Sequence, residues 1–384
     1  MAKLVRKFKD ESSSVYKIVE DQAEDIIQYI VSTRDTRDLM NYPEIVSVSF
    51  REKMRNGVTA ALKGINHLEK LSSIDSKSVN VFHILRGALN FELVSALNKA
   101  FGFKWHSSSY ISSQRVLKEG SFEISEDHYR KFVVPDNATL YCSDIVASGV
   151  SFDNSLKYLD AYMESKNYSI KNLIFITIGC REGARVLRKW DKIFREKYPG
   201  YEKTIICYLE GCFALASPDT PIKNTMADTD LLRSRDFGAL IAPEFEYSQF
   251  EKINIALEAC AIYDGGKKGF EPLNHIRDIL LFWEKQRDTS LDDKQTLWDE
   301  YNMRLPLRDY FSDFKSLQLG DARSLEEKRS EVWEGVTSKE YDKIYAGFDW
   351  LWNEARIARA QEEDSLTRVC NEKIKYLRTL LGNF

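Results

Sequence analysis

The residues from Cys142 to Phe152 bring one carboxylate, Asp144, next to a run of small and hydroxyl residues from Ala147 to Ser151. The apolar stretch before this run suits a strand. The spacing of Leu156, Leu159 and Met163 after it suits one face of a helix. A tight loop between strand and helix exposes successive backbone N–H groups at the positive end of the helix dipole. With two serine hydroxyls added, that is a cradle for a phosphate. Gly149 lets the backbone turn there and approach a ligand closely. The carboxylate just ahead of the loop could meet sugar hydroxyls or a metal beside the phosphate. A strand-loop-helix with no ligand has the same pattern, so the remaining elements have to decide.

The chain has 384 residues, 43% of them hydrophobic and 12% aromatic, enough for a large core and a prior of two domains. Net charge is -4 with both signs interspersed, which argues against nucleic acid as a bulk electrostatic partner. Cysteines at 142, 180, 207, 212, 260 and 370 form no CxxC pair, and His67, His106, His128 and His275 have no metal-like spacing. His83 lies in an apolar run and reads as a core histidine. The charged N-terminus and the lack of a membrane-length apolar run point to a cytoplasmic protein with no membrane partner.

Residues 1–14 read as a loose polar start, Val15 to Thr33 as an amphipathic helix, and Val46 to Leu71 as a longer one. The rhythm then changes. Short apolar strands over Val79–Leu85, from Lys104 to Tyr110, over the run before Ala147, over Asn172–Gly179 and over Thr204–Tyr208 alternate with helices over Phe91–Leu97, after Ser151, and over Arg181–Lys197. Alternation of this kind predicts an α/β domain with a parallel sheet covered on both faces and ligands beyond the carboxyl ends of its strands. Gln114 to Asp127 reads as a mobile polar excursion. From Pro243 onward the pattern is helical, with segments at Phe250–Ile262, Leu273–Lys285, Ser290–Tyr301, Leu325–Glu334 and Lys339–Leu381. Trp298, Trp333, Trp350 and Trp352 lie in this part. The expected division is residues 1–245, the α/β domain with a helical N-terminal segment, and 246–384, an all-helical domain.

The block Cys142-Ser143-Asp144-Ile145-Val146-Ala147-Ser148-Gly149-Val150-Ser151 resembles the phosphoribosyl-pyrophosphate signature of type I phosphoribosyltransferases. Ile84-Leu85-Arg86-Gly87-Ala88-Leu89 resembles that family's pyrophosphate loop, most closely in the uracil phosphoribosyltransferase branch. Ser113-Gln114-Arg115, Tyr129-Arg130-Lys131-Phe132 with Pro135, and Gly179-Cys180-Arg181-Glu182-Gly183 match further segments of that branch in order and spacing. The similarity spans roughly residues 30–240. It implies magnesium-dependent transfer of ribose 5-phosphate between phosphoribosyl pyrophosphate and a nucleobase-like acceptor, with a pyrimidine among the candidates.

On that resemblance Asp144, Arg86 and Arg115 are the catalytic residues. Ser143, Ala147, Ser148, Gly149, Val150, Ser151, Gly87 and Lys131 bind the phosphates. Asp228 and Asp230 stand where the uracil branch closes over its base, although they serve equally as caps of a following helix. Magnesium arrives on the substrate's own oxygens, with Asp144 the one protein ligand to consider. A homo-oligomer is also implied. Two departures matter: Ser143 replaces the signature's first acid, and Val150 stands where glycine is usual. Asn224-Thr225-Met226-Ala227 likewise replaces a glycine-rich hood. The alternative is therefore a weak or inactive relative that senses a nucleotide or phosphoribosyl pyrophosphate and acts on a protein partner through its helical domain. Gly265-Gly266-Lys267-Lys268-Gly269 lacks the spacing of a phosphate-binding P-loop and reads as a loop between helices.

Overall fold

A computed structural model describes residues 2–20, 26–118, 121–217, 220, 222, 231–252, 257, 263, 271–313, 315–316, 318–360 and 365–383. The side chains of 113–128, 355, 357–360 and 365 lie outside that description. Contacts divide the chain into two compact units. The first is Met1–Thr36, Ser47–Cys212 and Asp264–Phe270; the second is Arg37–Val46, Phe213–Tyr263 and Glu271–Phe384. The expected boundary near residue 245 lies inside the second unit.

The first unit is a mixed α/β layer structure. Its strands are β1 (Lys3–Lys9), β2 (Ser13–Val19), β3 (Ile27–Thr33), β4 (Val79–Leu85), β5 (Ser107–Lys118), β6 (Ser121–Lys131), β7 (Ala138–Val146), β8 (Ile170–Cys180) and β9 (Lys203–Leu215), which runs out of this unit after Cys212. They lie side by side in the order β1-β2-β3-β9-β8-β7-β4-β5-β6. The pairs β3–β9, β7–β8, β4–β7 and β4–β5 are parallel, while β1–β2, β2–β3 and β5–β6 are antiparallel. The helices are α1 (Arg34–Asn41), which runs out of this unit after Thr36, α2 (Ser47–Glu69), α3 (Leu93–Phe101), α4 (Val150–Lys166) and α5 (Arg181–Lys197). Helices α2 and α3 pack on each other, and so do α4 and α5. Leu156, Leu159 and Met163 of α4 are all fully buried, as their spacing predicts.

From β4 the chain crosses through α3 to β5 on one side, whereas from β7 it crosses through α4 to β8 on the other. The direction of winding reverses between β4 and β7. That reversal leaves a crevice beyond the carboxyl ends of these two strands, the usual ligand position in an open α/β sheet.

Three expectations for this unit are corrected. The amphipathic helix over Val15–Thr33 is instead the pair β2 and β3. Val15, Tyr16 and Ile18, and likewise Tyr29, Ile30 and Val31, are buried. Because both faces of this sheet are covered, apolar residues do not alternate cleanly, and a β-branched run can mimic helical spacing. The loose start is β1, and the polar excursion over Gln114–Asp127 is the long β5–β6 hairpin.

The second unit is largely helical: α6 (Pro243–Ser248), α7 (Pro272–Asp293), α8 (Leu297–Arg304), α9 (Ala322–Arg329), α10 (Ser338–Ala360) and α11 (Ser365–Gly382). It also holds the short strands β10 (Leu231–Leu232), β11 (Leu240–Ile241), β12 (Phe311–Asp313), β13 (Gln318–Leu319) and β14 (Trp333–Glu334), the last three within the expected helical part, 246–384. The expected helix over Leu325–Glu334 ends at Arg329, and β14 takes its last two residues. Tyr310 stacks on Phe348 at 3.9 Å, and Trp352 packs on Trp298 at 4.5 Å and on Phe311 at 5.0 Å. Beside this aromatic core lies the wholly buried Arg329, whose guanidinium meets Glu246 at 2.7 Å and also Asp309. The Phe250–Ile262 segment falls almost wholly outside the described residues, as does Gly265–Gly269.

Candidate functional site

The register of the parallel strands gathers the sequence motifs. Val79–His83 of β4 pairs with Thr139–Ser143 of β7, and β7 continues alongside β8 until Val146 meets Gly179. The loops after these strands, Arg86–Gly87, Ala147–Gly149 and the Cys180–Arg181 turn, therefore open at one edge, over the β4/β7 crevice and the adjoining end of β8.

Asp144 and Gly87 are in direct contact. A Cβ built on Gly87 would lie 2.0 Å from Asp144 Oδ1. A side chain at 87 would therefore require the Asp144 carboxylate to turn away, and glycine lets the carboxylate lie against the Arg86 loop as it does. The Asp144 carboxylate also accepts the N–H of Ile145 at 2.9 Å, and its backbone carbonyl accepts the Thr177 hydroxyl at 2.8 Å. Arg86, in the cis peptide after Leu85, has an exposed side chain at this edge.

The phosphate-loop candidates begin with Ala147, which is exposed and accepts the Cys180 thiol hydrogen on its carbonyl at 3.1 Å. Ser148 Oγ is buried and has no hydrogen-bond partner. Gly149 caps α4 at φ +73°, a left-handed conformation costly for any other residue type at a position packed this close to Val186. Val150 opens the helix, and the Gly149 carbonyl accepts the N–H of Asp153 at 2.9 Å. Ser151 is partly exposed in the first turn of α4. The loop thus sets helix-end N–H groups beside the partly exposed Ser151, components that a phosphate site uses.

Other predicted residues are placed differently. Ser143 is fully buried, and its hydroxyl donates to the Ala88 carbonyl at 3.4 Å, so in this structure it braces the Arg86 loop from beneath rather than facing a ligand. Lys131 pairs with Tyr110, level with His83, on the edge strand three strands from β7. Strands are spaced about 4.8 Å apart, so it stands roughly 14 Å from β7 and is not brought to the loop. Arg115 belongs to the part of β5 that runs past Ser112, the partner of Leu85, and its backbone pairs with Ile124 about 10 Å beyond that level. Its side chain lies outside the described residues, as do Asp228 and Asp230 entirely.

Thr177 escapes a motif reading and Cys180 enters one only as a position in the Gly179–Gly183 match, yet from the neighbouring strand they bond the Asp144 and Ala147 carbonyls. Their position on the β-prone run opposite β7 is the signal that could have singled them out. The thiols of Cys142 and Cys180 are pushed up by burial, which removes them as nucleophiles near neutrality. His83 is 7% exposed and stacks on Tyr110 at 4.7 Å, and neither of its ring nitrogens has a partner. Burial, aided by His106, pushes its pKa down to about 4, so it stays neutral as a core residue. Among the described residues no group of three His, Cys, Asp or Glu side chains could hold a metal, and no helix is long and apolar enough to cross a membrane.

No protein-family model matches the sequence, and no curated protein matches it. Among solved structures, the chain is similar to the AQ2163 protein of Aquifex aeolicus, at 12% identity over 46% of this chain and 83% of that one, with a TM-score of 0.33. A hypoxanthine phosphoribosyltransferase from Staphylococcus aureus matches at 15% identity over 33% of this chain and 64% of its own length, with a TM-score of 0.23. The hypoxanthine-guanine phosphoribosyltransferase of L. donovani matches at 13% over 43% and 83%, with a TM-score of 0.25. Likenesses at identities and scores as low as these carry no argument about activity or ligand.

Proposed function

We propose that the first unit binds a ribose 5-phosphate group on Ala147–Ser151 and transfers it between phosphoribosyl pyrophosphate and a nucleobase-like acceptor. The observation that carries this reading is the contact between Gly87 and Asp144 across the β4/β7 crevice, which joins a carboxylate, an arginine loop and a phosphate cradle. In the forward direction the C1–O bond to pyrophosphate breaks, and the leaving oxygen keeps the electron pair. The acceptor nitrogen then donates its lone pair to C1 and gives up its proton to solvent or to the departing pyrophosphate.

Positive charge develops on the sugar in between, and a fixed carboxylate stabilises it where it forms. Asp144 has that role, and Arg86 balances the charge on the leaving group. Helix-end N–H groups hold the 5-phosphate so that donor and acceptor stay in line. Magnesium pyrophosphate brings most of its ligands from its own oxygens and water. The Asp144 carboxylate, beside Gly87, is the residue of this chain that fits as a further ligand, and magnesium would supply charge neutralisation of the leaving group. The acceptor, a pyrimidine among the candidates, belongs to this proposal, as do a homo-oligomeric state and a cytoplasmic location.

The second reading is a binding protein that senses such a ligand without turnover and signals to a protein partner through its helical unit. Serine at 143 favours it: where the resemblance expects an acid it adds no negative charge to the developing cation, and its hydroxyl is turned onto the Ala88 carbonyl. The deciding experiment incubates the full chain with phosphoribosyl pyrophosphate, magnesium and a pool of nucleobases, and follows base consumption by mass spectrometry. A phosphoribosylated base that disappears with Asp144→Asn supports the enzyme. Ligand-dependent thermal stabilisation with no product supports the sensor, and neither effect overturns both.

A further inference from the structure

A groove of about 290 Å³ leads from the Ser148–Gly149 end of the loop into the space between α4 and α5. Asp153 and Lys157 line it one turn apart on α4, and Arg185 and Lys189 one turn apart on α5. Lys189 is committed: its ammonium sits on both oxygens of Asp153, at 2.7 and 2.9 Å, and the Trp190 indole donates to the same carboxylate at 2.7 Å. Arg185 pairs with Glu182 at 2.6 Å, but the side chains are 66% and 40% exposed, so the pair is weak and readily redirected. Lys157 is exposed and has no ion-pair partner among the described residues. The groove thus offers one uncommitted cation and one recruitable cation, both next to the loop.

On the loop side, ribose 5-phosphate and phosphoribosyl pyrophosphate both end at the 5-phosphate. Nothing in either molecule would reach past Ser148 into the groove. A 5-phosphate bearing another phosphoryl group would reach it, and the added negative charge would face Lys157 and Arg185. We infer that the loop also takes nucleoside 5'-di- and triphosphates, with their outer phosphates lying between α4 and α5. This rests on Ala147–Ser151 being a 5-phosphate loop. Such a ligand has no pyrophosphate on C1, so it would occupy the donor position without reacting and would compete with phosphoribosyl pyrophosphate.

Isothermal titration of the full chain with the mono-, di- and triphosphates of adenosine, guanosine and uridine, without divalent cations, tests the inference. For at least one base, the diphosphate is expected to bind about tenfold more tightly than the monophosphate. The double variant Lys157→Ala, Arg185→Ala should lose that increment and leave monophosphate affinity unchanged. Equal affinity along the series, or an increment that survives in the variant, overturns the inference while the loop reading stands. Absence of binding by every nucleotide and by ribose 5-phosphate overturns the loop reading and this inference with it.

Discussion

At the scale of single residues, the candidate site depends on the close approach of Asp144 to Gly87. Gly87→Ala would place a methyl group 2.0 Å from the Asp144 carboxylate, so either the carboxylate turns away or the Arg86 loop shifts. Turnover should fall by about two orders of magnitude in a phosphoribosyl transfer assay, the scale on which displaced catalytic groups lose rate, while the melting temperature changes little. Asp144→Asn keeps the shape and removes the charge. It should cost about 10²- to 10³-fold in kcat and leave ribose 5-phosphate binding intact by calorimetry.

His83 allows a pH prediction. Its folded pKa, about 4, lies below the usual histidine value near 6.5, so between the two the unfolded chain binds more protons than the folded one. Stability therefore rises with pH through this window and falls as pH drops through it. Between pH 7.5 and 5 the loss due to His83 should be about 2 kcal/mol in urea titrations. His83→Phe, which can keep the stack on Tyr110, should remove that part of the pH dependence.

At the scale of elements, the site is built from the ends of β4, β7 and β8, and its precision comes from the turns that leave those ends. Helix α4 starts only because Gly149 adopts a positive φ next to Val186. Gly149→Ala should destabilise the first unit by about 1–2 kcal/mol in chemical denaturation and weaken phosphate binding with it, since the strained cap is the cradle itself. Most of these elements were readable: β4, β8 and α5 fall where their apolar periods predict. Strands β2 and β3 were not, because burial on both faces erases the alternation that tells strand from helix. The β5–β6 hairpin was hidden by its own polarity, because its residues lack the apolar alternation by which a strand is read.

At the scale of the molecule, the chain folds as two compact units, and the second contains a buried ionic cluster. Arg329 is wholly buried. Burial alone would lower its pKa, but Glu246, Tyr310 and Asp309 more than reverse this and keep it charged. The Tyr310 hydroxyl donates to Glu246 at 2.5 Å, so one carboxylate serves both. Arg329→Met would leave the Glu246 carboxylate, 2% exposed, without its cation. The expected cost is about 3–5 kcal/mol, seen as an earlier unfolding step by Trp fluorescence, because a stranded buried charge loses far more than an exposed pair would.

The sequence by itself determined the chemistry on offer: a carboxylate before a hydroxyl loop, an arginine-glycine turn after another strand, and the alternation that makes a parallel sheet. These are local properties, set by residue type and by spacing within one strand or helix. Tertiary structure alone decided which of them meet. The reversal of winding between β4 and β7 puts Gly87 against Asp144, and strand order leaves Lys131 three strands away. The same folding turns Ser143 inward onto Ala88. Contacts of this kind join residues dozens of positions apart, and they arise from how strands are ordered and faces are covered, which no single segment encodes.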